Sequence, residues 1–210
     1  MHVLRLDSSI QGLASASSEL ADLAEAAWAE ERPETVFTRR HLGTDPLPAE
    51  AWAAAATAGY LPAEHRTAAH TAALALAGEL AEELCTADAA ILALPLYNYG
   101  VSQHVKTWID LVITGGAPGE RFLEGKPVIL LTPRGGSYAP GTPREGWDHN
   151  TGYLVRILAD LWGADLTVIE REFTLVGINP ALDEFTEATT LMKKAAHQAA
   201  AEAGRVLAAR

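Results

Sequence analysis

Two apolar runs, Ala89-Ala90-Ile91-Leu92-Ala93-Leu94 and Val128-Ile129-Leu130-Leu131, narrow the architectures open to this chain more than any other feature. A strand with one wet face alternates apolar and polar residues, whereas an unbroken run of this length fits a strand covered on both sides. Such cover requires helices above and below a sheet, and helical patterns do flank both runs. The strands expected are Met1–Asp7, Glu34–His41, Asp88–Leu94, Val128–Thr132 and Asp165–Phe173. A helix beginning near Ser17 puts Leu20, Leu23, Ala24, Ala27 and Trp28 on one face. A long helix aligns Ala73, Ala77, Leu80, Ala81 and Leu84, and two more run over about 103–113 and 150–162. A last one, about 184–209, places Leu191, Ala195, Ala199, Val206 and Leu207 together. The stretch between Pro48 and Pro62 reads as a Pro- and Ala-rich connection. Five strands alternating with five helices predict an α/β fold with a parallel sheet and helices on both faces. At 210 residues, with no linker or repeat, residues 1–210 are expected to form one domain.

Charge sets the classes of partner. Sixteen basic against 27 acidic side chains give a formal charge of −11, which repels phosphate backbones and anionic lipid surfaces, so neither nucleic acid nor membrane is expected as a partner. No apolar run approaches the roughly 20 residues that span a bilayer. The chain opens on a strand-like segment rather than a charged leader, and a cytoplasmic location is expected. Cys85 is the only cysteine, so no disulfide forms within the chain and a cysteine-based zinc site lacks ligands. Beside Leu84 in a helix, it reads as a small buried side chain. The seven histidines are scattered without an i, i+4 pair, and no metal site is expected. Trp108 and Trp162 read as core.

Ligands of open α/β sheets bind beyond the carboxyl ends of the strands. After the first strand, Ser9, Ser15, Ser17 and Ser18 surround a helix start, where free N–H groups, the helix dipole and hydroxyls can hold a phosphate. The loop is neither G-x-G-x-x-G nor a P-loop, and Ser17 or Ser18 can equally be an ordinary helix cap. After the third strand, Pro95-Leu96-Tyr97-Asn98-Tyr99-Gly100 sets two aromatics and an amide at the sheet edge, either as the wall of a ligand site or as a simple turn. After the fourth, Gly135-Gly136 lacks Cβ atoms, so a planar group can approach the backbone closely. A phosphate cradle, aromatic walls and a bare backbone at neighbouring strand ends suit a flat, singly phosphorylated ligand such as FMN.

These segments, Leu6-Asp7-Ser8-Ser9 with Ser15-Ala16-Ser17, then Pro95 to Tyr99, then Arg134-Gly135-Gly136-Ser137-Tyr138 through Arg144, resemble in order and separation the motifs of the FMN-dependent NAD(P)H azoreductases and quinone reductases of flavodoxin-like fold. The resemblance spans nearly the whole chain and implies a five-stranded parallel sheet in the order 2-1-3-4-5. It implies that Ser9, Ser15, Ala16 and Ser17 hold the FMN phosphate, that Leu96, Tyr97, Asn98 and Tyr99 line the ring system, and that Pro133, Arg134, Gly135 and Gly136 border its pyrimidine end. Family members usually carry Met where Leu96 stands and Ser where Pro133 stands. The implied reaction takes two electrons from NADH or NADPH and passes them, in a ping-pong scheme, to a quinone, azo compound or similar small aromatic acceptor. Flavin carries the chemistry, and Tyr138 is the candidate proton or hydrogen-bond donor to the acceptor. The family also implies a homodimer whose interface shelters Tyr99 and Tyr138. A flavin-dependent tailoring enzyme of a biosynthetic pathway and a non-enzymatic electron-transfer flavoprotein are the alternatives left open at this level.

Overall fold

The computed structural model describes residues 1–210, apart from the side chain of Leu13. Its sheet consists of β1 (His2–Asp7), β2 (Val36–His41), β3 (Ala89–Ala93), β4 (Pro127–Pro133) and β5 (Asp165–Arg171). All neighbours are parallel, in the order β2-β1-β3-β4-β5. Leu6, Leu92, Leu130 and Val168 stand side by side across four strands. Residues of β3 divide alternately between two cores, which is why its sequence has no polar position. Ala90 and Leu92 enter a cluster with α3 (Ala68–Thr86), α4 (Gln103–Gly115) and α5 (Thr151–Val155). Ala89, Ile91 and Ala93 enter another with α1 (Ala16–Glu31) and α6 (Thr186–Ala208). Each fully buried Leu or Ile contributes about 1.5–3 kcal/mol relative to exposure, so both helical layers are held by the same strands. Trp108 and Trp162 meet edge to face, with ring centroids 5.6 Å apart, inside the first cluster.

The structure departs from the sequence expectations in several places, among them the helix expected over about 150–162, which is α-helical only over Thr151–Val155 and continues as a π-helix over Arg156–Leu161. The connection after β2 contains a sixth helix, α2 (Ala51–Gly59), bracketed by Pro48 and Pro62. Its run of alanines has high helix propensity but almost no apolar–polar contrast, so periodicity does not reveal it. In α6 the expected face is wrong apart from Leu207: Leu191 and Val206 are exposed, and Ala196, Ala200, Ala203 and Gly204 are buried. The reason is the closeness of α1, since a Cβ on Gly204 would lie 2.1 Å from the Ala24 carbonyl oxygen. Two helices that near each other meet through their smallest residues and leave the larger ones outside. Cys85 is exposed rather than buried; its thiol contacts the Glu120 carboxylate at 3.4 Å, and partial desolvation of the sulfur, together with Glu120, pushes its pKa up. Finally β5 stops at Arg171, two residues earlier than expected, because Phe173 adopts a left-handed backbone, φ 57°.

Candidate functional site

β1 ends in Asp7, buried beside Arg5, and the chain then turns through Ser8, whose N–H donates to the Ala93 carbonyl at 3.1 Å. Gly43, in the loop after β2, passes so close that a Cβ there would lie 2.1 Å from the Ser9 carbonyl oxygen. At the start of α1 the cap is Ser15, not Ser17 or Ser18: its Oγ accepts from the Ser18 N–H at 3.1 Å. Ser18 instead donates its hydroxyl to Asp7 at 2.7 Å, tying the helix start to the strand end. Ser17 lies one position inside the first turn, 1% exposed, with its Oγ 3.0 Å from that of Ser15. First-turn N–H groups have no intrahelical acceptor, and among the described residues those of Ala16 and Ser17 have no hydrogen-bond partner.

The loop after β3 is a tight turn in which Tyr97 and Gly100 exchange both backbone hydrogen bonds, at 3.1 and 2.9 Å. Its central residues, Asn98 and Tyr99, both have left-handed backbones, φ 46° and 70°. For a tyrosine this is an unfavourable conformation, of order 1–3 kcal/mol, and it leaves the N–H groups of Asn98 and Tyr99 unpartnered among the described residues. The Leu96 N–H donates to the Pro133 carbonyl at 3.0 Å, joining this loop to the end of β4. Pro133 therefore anchors through its oxygen, the one backbone group proline retains.

Beyond β4, Arg134 is 5% exposed. Its guanidinium pairs with Asp148 at 2.8 Å and Glu170 at 2.5 Å and lies 5.8 Å from the Tyr138 ring centre. Burial pulls the Asp148 carboxyl upward, but hydrogen bonds from Thr151 and Asn150 and the charge of Arg134 hold it below the usual range. Arg134 Nε is buried without a partner. Gly135 and Gly136 follow with unpartnered N–H groups, and Glu172 accepts from the Ser137 hydroxyl at 2.5 Å and the Tyr138 N–H at 2.7 Å.

These three loops enclose a cavity of about 350 Å³. Ser9, Ala16, Ser17, Leu96, Tyr97, Asn98, Tyr99, Pro133, Arg134, Gly135, Gly136 and Tyr138 all line it; Ser15, expected among them, lines a neighbouring depression instead and reaches this wall only through its Oγ, 3.0 Å from that of Ser17. The fold thus brings together residues from positions 9 to 138 that the sequence analysis singled out. It adds Gln11, Arg144 and, from the loop after β5, Thr174, Leu175, Asn179 and Leu182. That last loop went unremarked, although the order 2-1-3-4-5 sets β5 beside β4 and so implies a wall there. A Cβ on Gly135 would come 2.6 Å from Leu175 Cδ1, so this side chain of the β5 loop packs directly over the glycine.

A wider depression of about 1280 Å³ lies at the β1–β2 edge. Its charges neutralise one another: Arg5 pairs with Asp7, Asp22 and Glu25 at 2.7–3.0 Å, and Arg39 with Glu25. Although burial alone would lower it, these carboxylates raise the Arg5 pKa. We therefore assign the smaller cavity as the site, because it joins the three strand ends to unsatisfied donors.

A family model described as flavodoxin-like fold matches residues 1–203. A protein of Frankia casuarinae named FMN-dependent NADH:quinone oxidoreductase is 40% identical over 207 residues, covering 96% of each chain. One of the same name from Streptomyces avermitilis is 37% identical over 212 residues, covering 99% of this chain and 97% of the other. Among solved structures, an azoreductase from Bacillus anthracis has the same fold, with a TM-score of 0.77 at 20% identity over 98% of this chain and 99% of that one. No helix among the described residues is long and apolar enough to cross a membrane. The chain belongs to the flavodoxin-like family that includes the FMN-dependent NADH:quinone oxidoreductases.

Proposed function

We propose that this protein is an FMN-dependent oxidoreductase that carries electrons from NADH to quinones and azo compounds, working in the cytoplasm as a homodimer of single-domain subunits. The observation that carries the reading is the convergence of unpartnered donors on one cavity: the N–H groups of Ala16 and Ser17 at a helix start, those of Asn98, Gly135 and Gly136, and the buried Arg134 Nε. Buried without a partner, Arg134 Nε carries a desolvation cost of about 1–3 kcal/mol, and the free backbone N–H groups around it add further donors, so the wall suits a ligand rich in acceptors. FMN fits that demand, with phosphate oxygens for the helix start and ring carbonyls and nitrogens for the rest.

When bound, FMN supplies the two-electron redox chemistry, and the protein supplies position and polarity. The Ala16 and Ser17 N–H groups and the Ser17 hydroxyl bind the phosphate in the positive field of α1. Ser9 and Ser15 support them, through Tyr97 and through the Ser15 cap. Leu96, Tyr97, Asn98 and Tyr99 form one wall for the ring, and the backbone from Pro133 to Gly136 forms the other. The Tyr138 hydroxyl, free of partners among the described residues, donates a hydrogen bond to the acceptor's carbonyl or nitrogen. Donor and acceptor use the same open side of the cavity in turn. Tyr99, 41% exposed, and Trp147 packed against it, 51% exposed, are the apolar surface that a second subunit covers; Tyr138, expected there as well, is already half-buried beside Arg134, with its N–H held by Glu172.

The test is the visible spectrum of the purified protein with about one equivalent of FMN. Addition of NADH under argon should bleach the band near 450 nm, and a quinone should restore it. Initial-rate plots at several acceptor concentrations should be parallel, and sedimentation at micromolar concentration should give twice the chain mass. A protein that neither takes up FMN nor oxidises NADH would overturn the reading, and a fully active monomer would remove the homodimer from it.

A further inference from the structure

The cavity is lined by two charged side chains among the described residues, Arg134 and Arg144. They are in opposite situations. Arg134 is buried, and its charge is committed to Asp148 and Glu170. Arg144 is exposed and has no carboxylate within 4.0 Å and no side-chain hydrogen bond. Glu145, its neighbour in sequence, and Glu172, which meets the same loop at Ser137 and Tyr138, have other partners. Glu145 accepts from the Gly141 N–H at 2.8 Å, and Glu172 is held by Ser137 and Tyr138.

Its placement is nonetheless defined. The guanidinium lies 5.9 Å from the centre of the Tyr99 ring, close enough for a cation–π contact. The guanidinium also lies close against Gly136, where a Cβ would fall 3.0 Å from Arg144 Nη1. The loop behind it is pinned, with the Trp147 N–H donating to the Arg144 carbonyl at 3.1 Å and the His149 N–H to the Tyr99 carbonyl at 2.9 Å. The ring of Trp147 packs edge to face on Tyr99, with centroids 5.5 Å apart. An unpaired cation is thus held at the mouth of an aromatic cleft, in a protein of formal charge −11 that otherwise repels anions.

We propose that Arg144 is a specificity-determining residue that recognises an anionic oxygen group, a phosphate, sulfonate or carboxylate, on the planar substrate that enters the cavity. The inference rests on the proposed oxidoreductase reading and names what that site selects. The phosphate of FMN is not the group in question, because its cradle is at Ala16 and Ser17. The anion belongs either to the diphosphate of the nicotinamide dinucleotide or to an ionised substituent on the acceptor. A guanidinium suits all of these, since its planar donors match such oxygens in pairs.

The experiment compares Arg144→Gln and Arg144→Lys with the parent protein, each loaded with FMN, on two matched pairs of substrates. The donor pair is NADH against the neutral N-benzyl-1,4-dihydronicotinamide. The acceptor pair is 1,4-naphthoquinone bearing a sulfonate on its outer ring against the unsubstituted quinone. The readout is the ratio of kcat/KM for the charged member to that for the neutral one. Arg144→Gln should lower this ratio roughly tenfold for one pair, through KM, and Arg144→Lys should restore part of it. Calorimetric binding of NAD+ or of the sulfonated quinone, followed without turnover, should weaken in parallel, and raised salt should shrink the difference in the parent protein. A change confined to the donor pair assigns the anion to the dinucleotide, and one confined to the acceptor pair assigns it to the acceptor. Unchanged ratios in both pairs, or a loss of FMN affinity that spares riboflavin, would overturn the proposal. Failure of the parent protein to bind FMN at all is a separate result, which overturns the oxidoreductase reading instead.

Discussion

The Tyr97 hydroxyl stands 3.1 Å from the Ser9 Oγ and 3.1 Å from the backbone nitrogen of Ile10, so the loop after β3 holds the loop after β1 across a separation of 88 residues in sequence. Ser9 Oγ in turn accepts from the Gln11 N–H at 3.2 Å. Removing the hydroxyl in Tyr97→Phe breaks this link while keeping the ring. A net hydrogen bond contributes about 0.5–1.5 kcal/mol, so FMN should dissociate several-fold more readily, as titration of flavin fluorescence would register. An unchanged dissociation constant would show that the two loops are positioned independently.

Ser17 separates phosphate binding from helix capping, because Ser15 does the capping. Ser17→Asp places a carboxylate where a phosphate dianion is proposed to bind, and like charges 4 Å apart repel by about 1 kcal/mol even in water. FMN affinity should fall at least tenfold, and riboflavin, which has no phosphate, should be affected much less. Ser15→Ala should do something different, lowering stability by about 1 kcal/mol through the lost cap. Equal losses of both flavins in Ser17→Asp would place the phosphate elsewhere.

Glu19, on the first turns of α1, faces two cations, Arg171 at 2.7 Å and Lys193 at 2.9 Å, with the His197 imidazole 3.4 Å away. Burial alone would raise its pKa, but hydrogen bonds from Lys193 and Arg171 and the charges around it bring it from 4.5 to about 2. The folded state therefore holds this proton less tightly than the unfolded one. The resulting stabilisation is complete above pH ~4.5 and is lost as the pH falls towards 2. Glu19→Gln should be less stable than the parent in urea at pH 7, and the gap should narrow between pH 4.5 and 2. A constant gap over that range would mean that the charge of Glu19 is not what ties α1 to β5 and α6.

The contact of α1 with α6 depends on Gly204, where a Cβ would lie 2.1 Å from the Ala24 carbonyl oxygen. Backbone cannot yield as a side-chain tip can, so Gly204→Ala must push the helices apart. Overpacking of this kind costs about 1–3 kcal/mol, which for a chain of this length lowers the melting temperature by roughly 2–4 °C per kcal/mol. Because α1 carries Ala16 and Ser17, FMN should also bind less tightly at temperatures where the fold is intact. An unaltered melting temperature would contradict the close approach.

The apolar runs of β3 and β4 determined by themselves that a parallel sheet is buried between two helical layers, because a strand wet on one face cannot lack polar positions. The turn and cap chemistry after β1, β3 and β4 likewise marked the cavity walls, since serines at a helix start and a Gly-Gly pair are local signals. Tertiary structure alone decided the rest. The buried face of α6 follows from how near α1 lies, and that distance selects Ala and Gly over the larger Leu191 and Val206, against the direction in which hydropathy points. Ser15 rather than Ser17 became the cap because the strand end at Asp7 took the Ser18 hydroxyl and set where the helix begins. Arg144 closes the segment that runs from Arg134, but the sequence does not mark its charge as free; that follows only from a guanidinium lying beside Gly136 while Asp148 and Glu170 pair with Arg134. Pairing among charges distant in sequence is settled by three-dimensional proximity, and no periodicity along the chain encodes it.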